Sequence, residues 1–184
     1  TSGRAHEQRQ KWRIIHEMAE LDVIHNEFGY YAHNNQPAHH VLYVAKKAGC
    51  NDVAEKYLRK VMKQLYTTRG WSGDEDNGEM ASWYVLSALG IFALEGAKDE
   101  LVLGSPAVKY ATVQLGNHKV LTVEAQNQAD SHVYVKSVTW TDAHGIVRTV
   151  ENNVIKFTEL MHGGRLTFYM DSSPNHAAIE SQKI

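Results

Sequence analysis

The sequence has very little of what marks disulfide-rich, metal-thiolate or membrane-spanning proteins. Its 184 residues include one cysteine, Cys50, so neither an internal disulfide nor a zinc site with two thiolates can form. The longest strongly apolar run, residues 83–94, is shorter than the ~20 residues that a helix needs to cross a bilayer. We therefore expect no membrane span.

The chain also lacks a strong charge of either sign. Nineteen basic and 21 acidic residues give a formal net charge of −2, and no run of five like charges occurs. Such a balance provides no long-range field that would attract nucleic acid or an anionic membrane. With 43% apolar and 22% charged residues, the composition is that of an ordinary globular protein, and we expect no nucleic-acid partner.

The first half of the chain has the apolar spacing of helices. Residues 7–24 carry apolar side chains at steps of three and four, a pattern that predicts one buried helix face. A second helix is predicted from Pro37 to just before Gly49, and a third from Asn51 to Tyr66. A fourth, over residues 80–94, has no charged residue and is apolar nearly all round. A helix of that kind is buried on several sides, so we expect further polypeptide to cover the helical half.

The second half has the short alternating segments of a β structure. Seven strands separated by glycine and asparagine turns are predicted, at residues 101–103, 112–115, 120–125, 133–140, 146–150, 154–157 and 165–170. The period changes near residues 96–101. The sequence therefore predicts an α+β chain with a helical part at residues 1–95 and an antiparallel β segment at residues 96–184.

The densest polar cluster, residues 70–79, lies directly before the apolar helix. One interpretation is structural: Asp76 or Asn77 caps the helix, and Glu79 completes a capping box. That interpretation leaves Asp74 and the surrounding glycines unexplained. Crowded acids at a helix start can also hold a carboxylate that binds a cation or activates water. Trp71, in the same loop, is suited to stack on the apolar face of a sugar.

A second polar cluster, residues 33–40, precedes another predicted helix. Asn35 is a reasonable cap and Pro37 a reasonable first helical residue. The adjacent His39 and His40 cannot share a helix face, so they make a weak zinc motif. The amide and carbonyl oxygens of Asn35 and Gln36, together with the downstream acids, suit a hard cation such as calcium better.

Taken together, the two clusters resemble glycoside hydrolase family 92. The resemblance is carried by NQPAHH at residues 35–40 and, more specifically, by GDEDNGEMASWYVLSALG at residues 73–90. GSP at 104–106, FYM at 168–170 and PN at 174–175 follow in the family's order, so the resemblance covers roughly residues 30–175. It implies a calcium-dependent, inverting exo-α-mannosidase. The chain would supply the C-terminal helices of an (α/α)₆ barrel and the β segment that follows them.

The resemblance also implies roles for individual residues. Asp76 is expected to be the catalytic base, with Asp74 sharing or orienting the attacking water. Calcium is expected near the metal ligands Asn35 and Gln36. The expected substrate-binding residues are Trp71, His39 and His40.

The family further implies a mannose-containing glycan as substrate, a secreted or extracytoplasmic location, and a partner in the remainder of the enzyme or in another polypeptide. Any secretion signal would lie upstream of Thr1.

Two departures from the family pattern leave a second interpretation open. The family commonly has glutamate at the position of Gln36, and no residue of this chain matches the motif of its general acid, which lies upstream of the His-His segment. A non-catalytic carbohydrate-binding or structural subunit that retains the fold is therefore the alternative. The intact acidic loop around Asp74 and Asp76 favours the enzyme.

Overall fold

The computed structural model describes residues 28, 30–73 and 75–175. The helix predicted at residues 7–24 lies outside the described residues, as does Asp74. Within the described part of the chain, no helix is long and apolar enough to cross a membrane.

The described residues form four α-helices, and the second polar cluster leads into the first of them. Pro37 lies in a 3₁₀ helix, Gln36–Ala38, which is followed by α1, Val41–Lys47. The helix predicted from Pro37 is thus divided at His39 and His40. The others are α2, Asn51–Gln64, α3, Glu79–Leu89, and the short α4, Phe157–Leu160.

The apolar helix α3 ends five residues earlier than the sequence predicts. Gly90 adopts a left-handed conformation with φ of 77°, and its N–H bonds to the carbonyls of Leu86 and Ser87. Because this conformation is open to glycine at little cost, Gly90 ends the helix. A Cβ on Gly90 would also lie 2.9 Å from Cζ of Phe168. The chain therefore leaves the helix as a strand at Ile91.

Within residues 66–171, ten short strands form three sheets. The pair β1, Tyr66–Thr67, and β2, Gly70–Trp71, precedes α3. A three-stranded sheet joins β3, Ile91–Phe92, β4, Leu101–Leu103, and β9, Val154–Ile155. The largest sheet has the order β5-β6-β10-β7-β8 and consists of β5, Tyr110–Gln114, β6, Val120–Gln126, β7, Tyr134–Asp142, β8, Val147–Thr149, and β10, Gly164–Asp171.

Among the described strands, the predicted antiparallel pairing holds for every pair except one. β10 lies between β6 and β7, antiparallel to β7 but parallel to β6. Burial alternates along β6, where Leu121, Val123 and Ala125 face the core. Sequence alternation predicts such strands well, because successive side chains point to opposite faces. It does not predict which strand becomes the neighbour of which.

The helices and the large sheet pack together, and each contributes side chains to the hydrophobic core of the other. Val102 of β4 belongs to the helical core, whereas Leu86 and Leu89 of α3 pack on the sheet core. A buried ion pair, Lys46 with Glu55, joins α1 to α2, and Glu55 Oε2 also accepts a hydrogen bond from the N–H of Val135 at 3.1 Å. The division at residues 95 and 96 stays a prediction, since buried contacts cross it.

Candidate active site

The structure brings the two polar clusters of the sequence together. We name residues 33–40 the amide loop and residues 70–79 the acidic loop. Gly73 of the acidic loop, with φ of +85°, lies against the backbone of the amide loop, because a Cβ built on it would be 2.4 Å from the Asn34 carbonyl oxygen. Only a glycine allows the two backbones to approach so closely. The loops therefore form one junction at the start of α3.

A hydrogen bond between His39 and Glu79 also joins the two loops. His39 Nε2 donates to the His33 carbonyl oxygen at 2.8 Å, and His39 Nδ1 lies 2.7 Å from Glu79 Oε1. Since a carbonyl can only accept, Nε2 carries a proton, and one further proton lies between Nδ1 and the Glu79 carboxyl group. Trp83 Nε1 donates to the His39 carbonyl oxygen at 3.2 Å. The His39 ring is only 2% exposed and cannot reach a ligand directly.

His33 is a buried, neutral histidine behind the junction. Burial, and secondarily the nearby His39, lowers the pKa of His33 to about 2. Tyr66 O–H donates to the Met80 carbonyl, so His33 Nε2 donates to the Tyr66 oxygen at 2.8 Å. His33 Nδ1 then accepts from Tyr31 O–H, also at 2.8 Å. Burial raises the pKa of both tyrosines, so each keeps the proton that this network requires.

The start of α3 is capped by Glu75, and neither Asp76 nor Asn77 caps it. Glu75 Oε1 accepts from the N–H of Met80 at 3.2 Å, and Oε2 accepts from the N–H of Ala81 at 3.1 Å. The N-cap position itself is Gly78, in a left-handed conformation with φ of 87° and without a side-chain cap. The side chain of an N-cap residue can cap a helix when the backbone at that residue is extended. Here the backbone at the N-cap position is left-handed instead. The predicted capping box is therefore wrong.

This arrangement leaves Asp76 available for chemistry. The Asp76 side chain is exposed and makes no hydrogen bond within the described part of the chain. Its carbonyl oxygen accepts from the N–H of Glu79 at 3.0 Å. Asp74, the other carboxylate predicted for this site, lies outside the described residues.

The remaining predicted site residues flank the junction. Asn35 is exposed and does not cap the 3₁₀ helix with its side chain, and Gln36 is half-buried. His40 is exposed at the start of α1. Trp71 is 43% exposed, and its ring lies 6.5 Å from that of Tyr66. Trp71 and Tyr66 line an open groove of about 550 Å³ together with Lys63, Thr67, Thr68, Ala81, Tyr84 and Val85.

Two buried oxygens at the junction have no partner in the part of the chain that the structure describes. Asn34 Oδ1 and Glu79 Oε2 are both closed to solvent and accept no hydrogen bond from those residues. Residues 28, 30–73 and 75–175 hold no group of three His, Cys, Asp or Glu side chains close enough to bind a metal. The oxygen donors that the junction does offer are amides, carbonyls and carboxylates, which is the chemistry that a hard cation prefers.

Sequence reasoning missed three residues that build this junction: His33, Glu75 and Glu79. His33 was part of a recognised cluster, but its burial depends on Tyr31 and Tyr66, which no local pattern indicates. Glu79 was identified only as a capping residue. The signal that could have identified the two glutamates is their position in the same loop as Asp76, directly before it and three residues after it.

Fold and site together define an α+β unit whose candidate chemistry is that of carboxylates held in a loop, as glycoside hydrolases use it. The chain matches the model of the glycosyl hydrolase family 92 catalytic domain over residues 5–172 and belongs to that family. No curated protein sequence was found to match it.

Solved structures give the same family. The family 92 α-mannosidase BT3965 of Bacteroides thetaiotaomicron is 27% identical with a TM-score of 0.74, covering 80% of this chain and 20% of that protein. The structure of its complex with mannoimidazole is 26% identical with a TM-score of 0.74, covering 81% of this chain and 19% of that protein. The family 92 inverting mannosidase BT2199 of the same species is 35% identical with a TM-score of 0.71, covering 89% of this chain and 22% of that protein. The chain thus spans about a fifth of the length of the solved structures it matches.

Proposed function

We propose that the protein, in its full natural length, is an inverting exo-α-mannosidase that hydrolyses terminal α-mannosides of glycans. The observation that carries the proposal is the junction of the two loops, where the Asp76 carboxylate is exposed and has no hydrogen-bond partner among the described residues. The mannosidase neighbours and the mannoimidazole bound to one of them support mannose as the sugar.

Asp76 is the proposed catalytic base. Inverting hydrolysis needs one carboxylate that takes a proton from water and an opposed acid that protonates the leaving oxygen, about 6.5–9.5 Å away. Because no side chain of the described residues donates to it, the Asp76 carboxylate can accept the proton of an incoming water. Asp74 is proposed to share or orient that water. The acid has no counterpart in this chain, so we propose that the rest of the enzyme supplies it.

Calcium is the proposed cofactor, with Asn35 and Gln36 as ligands from this chain. Amide and carbonyl oxygens fit a hard cation, and the unpartnered oxygens of Asn34 and Glu79 show that the junction is rich in acceptors. When bound, calcium would supply positive charge that holds sugar hydroxyls. Gln36 supplies an uncharged oxygen where the family commonly has a carboxylate.

Trp71 and His40 are proposed to contact the glycan. Trp71 presents an exposed ring at the mouth of the groove, and His40 is exposed at the end of the amide loop. His39 is proposed to support the site without touching the glycan, because its ring is buried against Glu79.

We further propose that additional polypeptide covers the helical half, as an (α/α)₆ barrel would, and that the enzyme is secreted or extracytoplasmic. Tyr84 and Val85 of α3 and Val44 of α1 are exposed apolar side chains on two helices. A non-catalytic carbohydrate-binding or structural subunit is the second candidate function. Gln36, an uncharged residue where the family commonly has glutamate, favours it.

The test is Asp76→Asn in the full-length protein. Mannoside hydrolysis should fall by at least 100-fold, because general-base catalysis contributes roughly 10²–10⁴-fold. Asp76 does not cap α3, so both Asp76→Asn and Asp76→Ala should leave the unfolding free energy within about 0.5 kcal/mol of the parent. An Asn variant of undiminished rate would remove Asp76 from the role of base. If the unaltered protein binds mannosides without cleaving them, the binding function replaces the enzyme.

A further inference from the structure

The side chain of Asp76 makes no hydrogen bond within the described residues, so its position depends on its neighbours. We propose that the two flanking glutamates, Glu75 and Glu79, are positioning residues that hold Asp76 in place, and that the buried His39 anchors them to the core. The inference adds positioning residues to the proposed function. It rests on that function only for the measurements of mannoside hydrolysis.

Glu75 closes the turn that contains Asp76. Its two carboxylate oxygens accept from the N–H groups of Met80 and Ala81, so the side chain reaches across residues 76–79 to the first turn of α3. Asn77 and Gly78 within this turn both have positive φ, at 55° and 87°. The left-handed conformation costs little at Gly78 but is strained at Asn77, and such strain persists only where surrounding contacts hold the backbone. The two hydrogen bonds of Glu75 are contacts of this kind.

Glu79 connects the same turn to the interior. Its N–H donates to the Asp76 carbonyl oxygen at 3.0 Å, and its side chain is held by His39 at 2.7 Å. His39 is fixed in turn by the His33 carbonyl and by Trp83. A continuous series of hydrogen bonds therefore runs from the buried rings to the peptide of Asp76.

Two features separate this role from ordinary helix stabilisation. A cap needs only one acceptor near the helix start, whereas here a second carboxylate joins the turn to the other loop. The Glu79–His39 contact also requires a hydrogen bond and not a specific charge. A glutamine at position 79 can donate its amide N–H to a neutral His39 Nδ1 and keep its oxygen as an acceptor.

The experiment compares matched variants of the full-length protein: Glu79→Met, Glu79→Gln and Glu75→Met, with Glu151→Met as the control. Glu151 is exposed, and its side chain makes no hydrogen bond in the described part of the chain. With an aryl α-mannoside, we expect kcat to fall at least tenfold in Glu79→Met and Glu75→Met while KM changes less than threefold. Glu79→Gln and the control should remain within threefold of the parent.

Hydrogen exchange decides the point independently of hydrolysis. The amides of Met80 and Ala81 should exchange at least tenfold faster in Glu75→Met than in the parent or the control. Unchanged exchange overturns the proposal even if the parent cleaves no mannoside, in which case the proposed function fails separately. The proposal is also overturned if both methionine variants retain the parent kcat. Equal losses in Glu79→Gln and Glu79→Met would overturn it too, because Glu79 would then act through its charge.

Discussion

At the scale of single residues, His33 makes the folded protein sensitive to acid. Its pKa is lowered to about 2 by burial and by nearby His39, against an ordinary value of 6.5. In the unfolded chain His33 therefore binds a proton near pH 6.5, whereas in the folded chain it does not bind one until about pH 2. Folding stability is fully present above pH 6.5 and falls as the pH drops through this window.

We expect protonation of His33 in the unfolded chain to remove about 2 kcal/mol of unfolding free energy between pH 7.5 and pH 5, at up to about 1.4 kcal/mol for each pH unit. Urea unfolding at both pH values measures this loss. His33→Gln is the matched variant, because its amide can donate to Tyr66 and accept from Tyr31 without titrating near pH 6. The same pH dependence in the parent and in His33→Gln would assign the acid sensitivity to other groups.

The buried pair of Lys46 and Glu55 is a second residue-scale feature. Burial lowers the pKa of Lys46 and raises that of Glu55, while each partner's charge opposes the shift of the other. Lys46→Met leaves the carboxyl group buried without its cation, and we expect the unfolding free energy to fall by about 3–5 kcal/mol.

Lys46→Met combined with Glu55→Gln is the control for this prediction. The amide oxygen of the glutamine can still accept from the N–H of Val135, and no unpaired charge remains. We expect the double variant to recover at least half of the lost stability in denaturant unfolding. A double variant as unstable as the single one would show that packing, and not charge, dominates.

At the scale of elements, the two loops are held together by a backbone contact that only glycine permits. Gly73 and Gly78 have nearly the same φ, +85° and +87°, but a Cβ at Gly73 meets Asn34 at 2.4 Å whereas one at Gly78 meets nothing within 4 Å. Alanine at either position carries about 1–2 kcal/mol of left-handed strain. Only Gly73→Ala also pushes the loops apart.

We therefore expect Gly73→Ala to lower mannoside hydrolysis by at least tenfold more than Gly78→Ala, although thermal unfolding should show both destabilised. Steady-state kinetics of the two full-length variants provide the comparison. If both lose activity equally, backbone strain alone accounts for the effect and the contact between the loops has no separate role.

The elements also show how far the sequence could predict this molecule. Alternation in residues 120–125 and 133–140 predicts strands because one face is buried, and strands form there at Val120–Gln126 and Tyr134–Asp142. The predicted end of α3 is too late, since the apolar residues 91–94 continue the hydrophobicity of the helix although Gly90 turns the chain. At the site, the glycines and acids of residues 70–79 indicate either a helix cap or a functional loop. The Glu79–His39 contact joins residues 40 positions apart, and no local pattern encodes it.

At the scale of the whole molecule, apolar side chains on two helices face solvent. Val41 and Val44 of α1 are each nearly half exposed, and Val85 of α3 is 55% exposed. Faces of this kind mark contact with other polypeptide. We expect the isolated chain to self-associate in light scattering, and Val44→Glu with Val85→Glu to restore a monomer without loss of stability. A monomeric parent chain would contradict the proposal that further polypeptide covers these helices.

The position of β10 has a consequence for the order in which the molecule folds. The last described strand of the chain is the middle strand of the large sheet, and its register pairs Leu121 with Gly164. Until residues 164–171 have been synthesised, β6 and β7 each expose an unpaired edge, which is a hazard for aggregation. Pairing over such long sequence separations is slow. The β half is therefore completed only after synthesis of nearly the whole segment, and a chain interrupted before Gly164 is a substrate for chaperones or proteases.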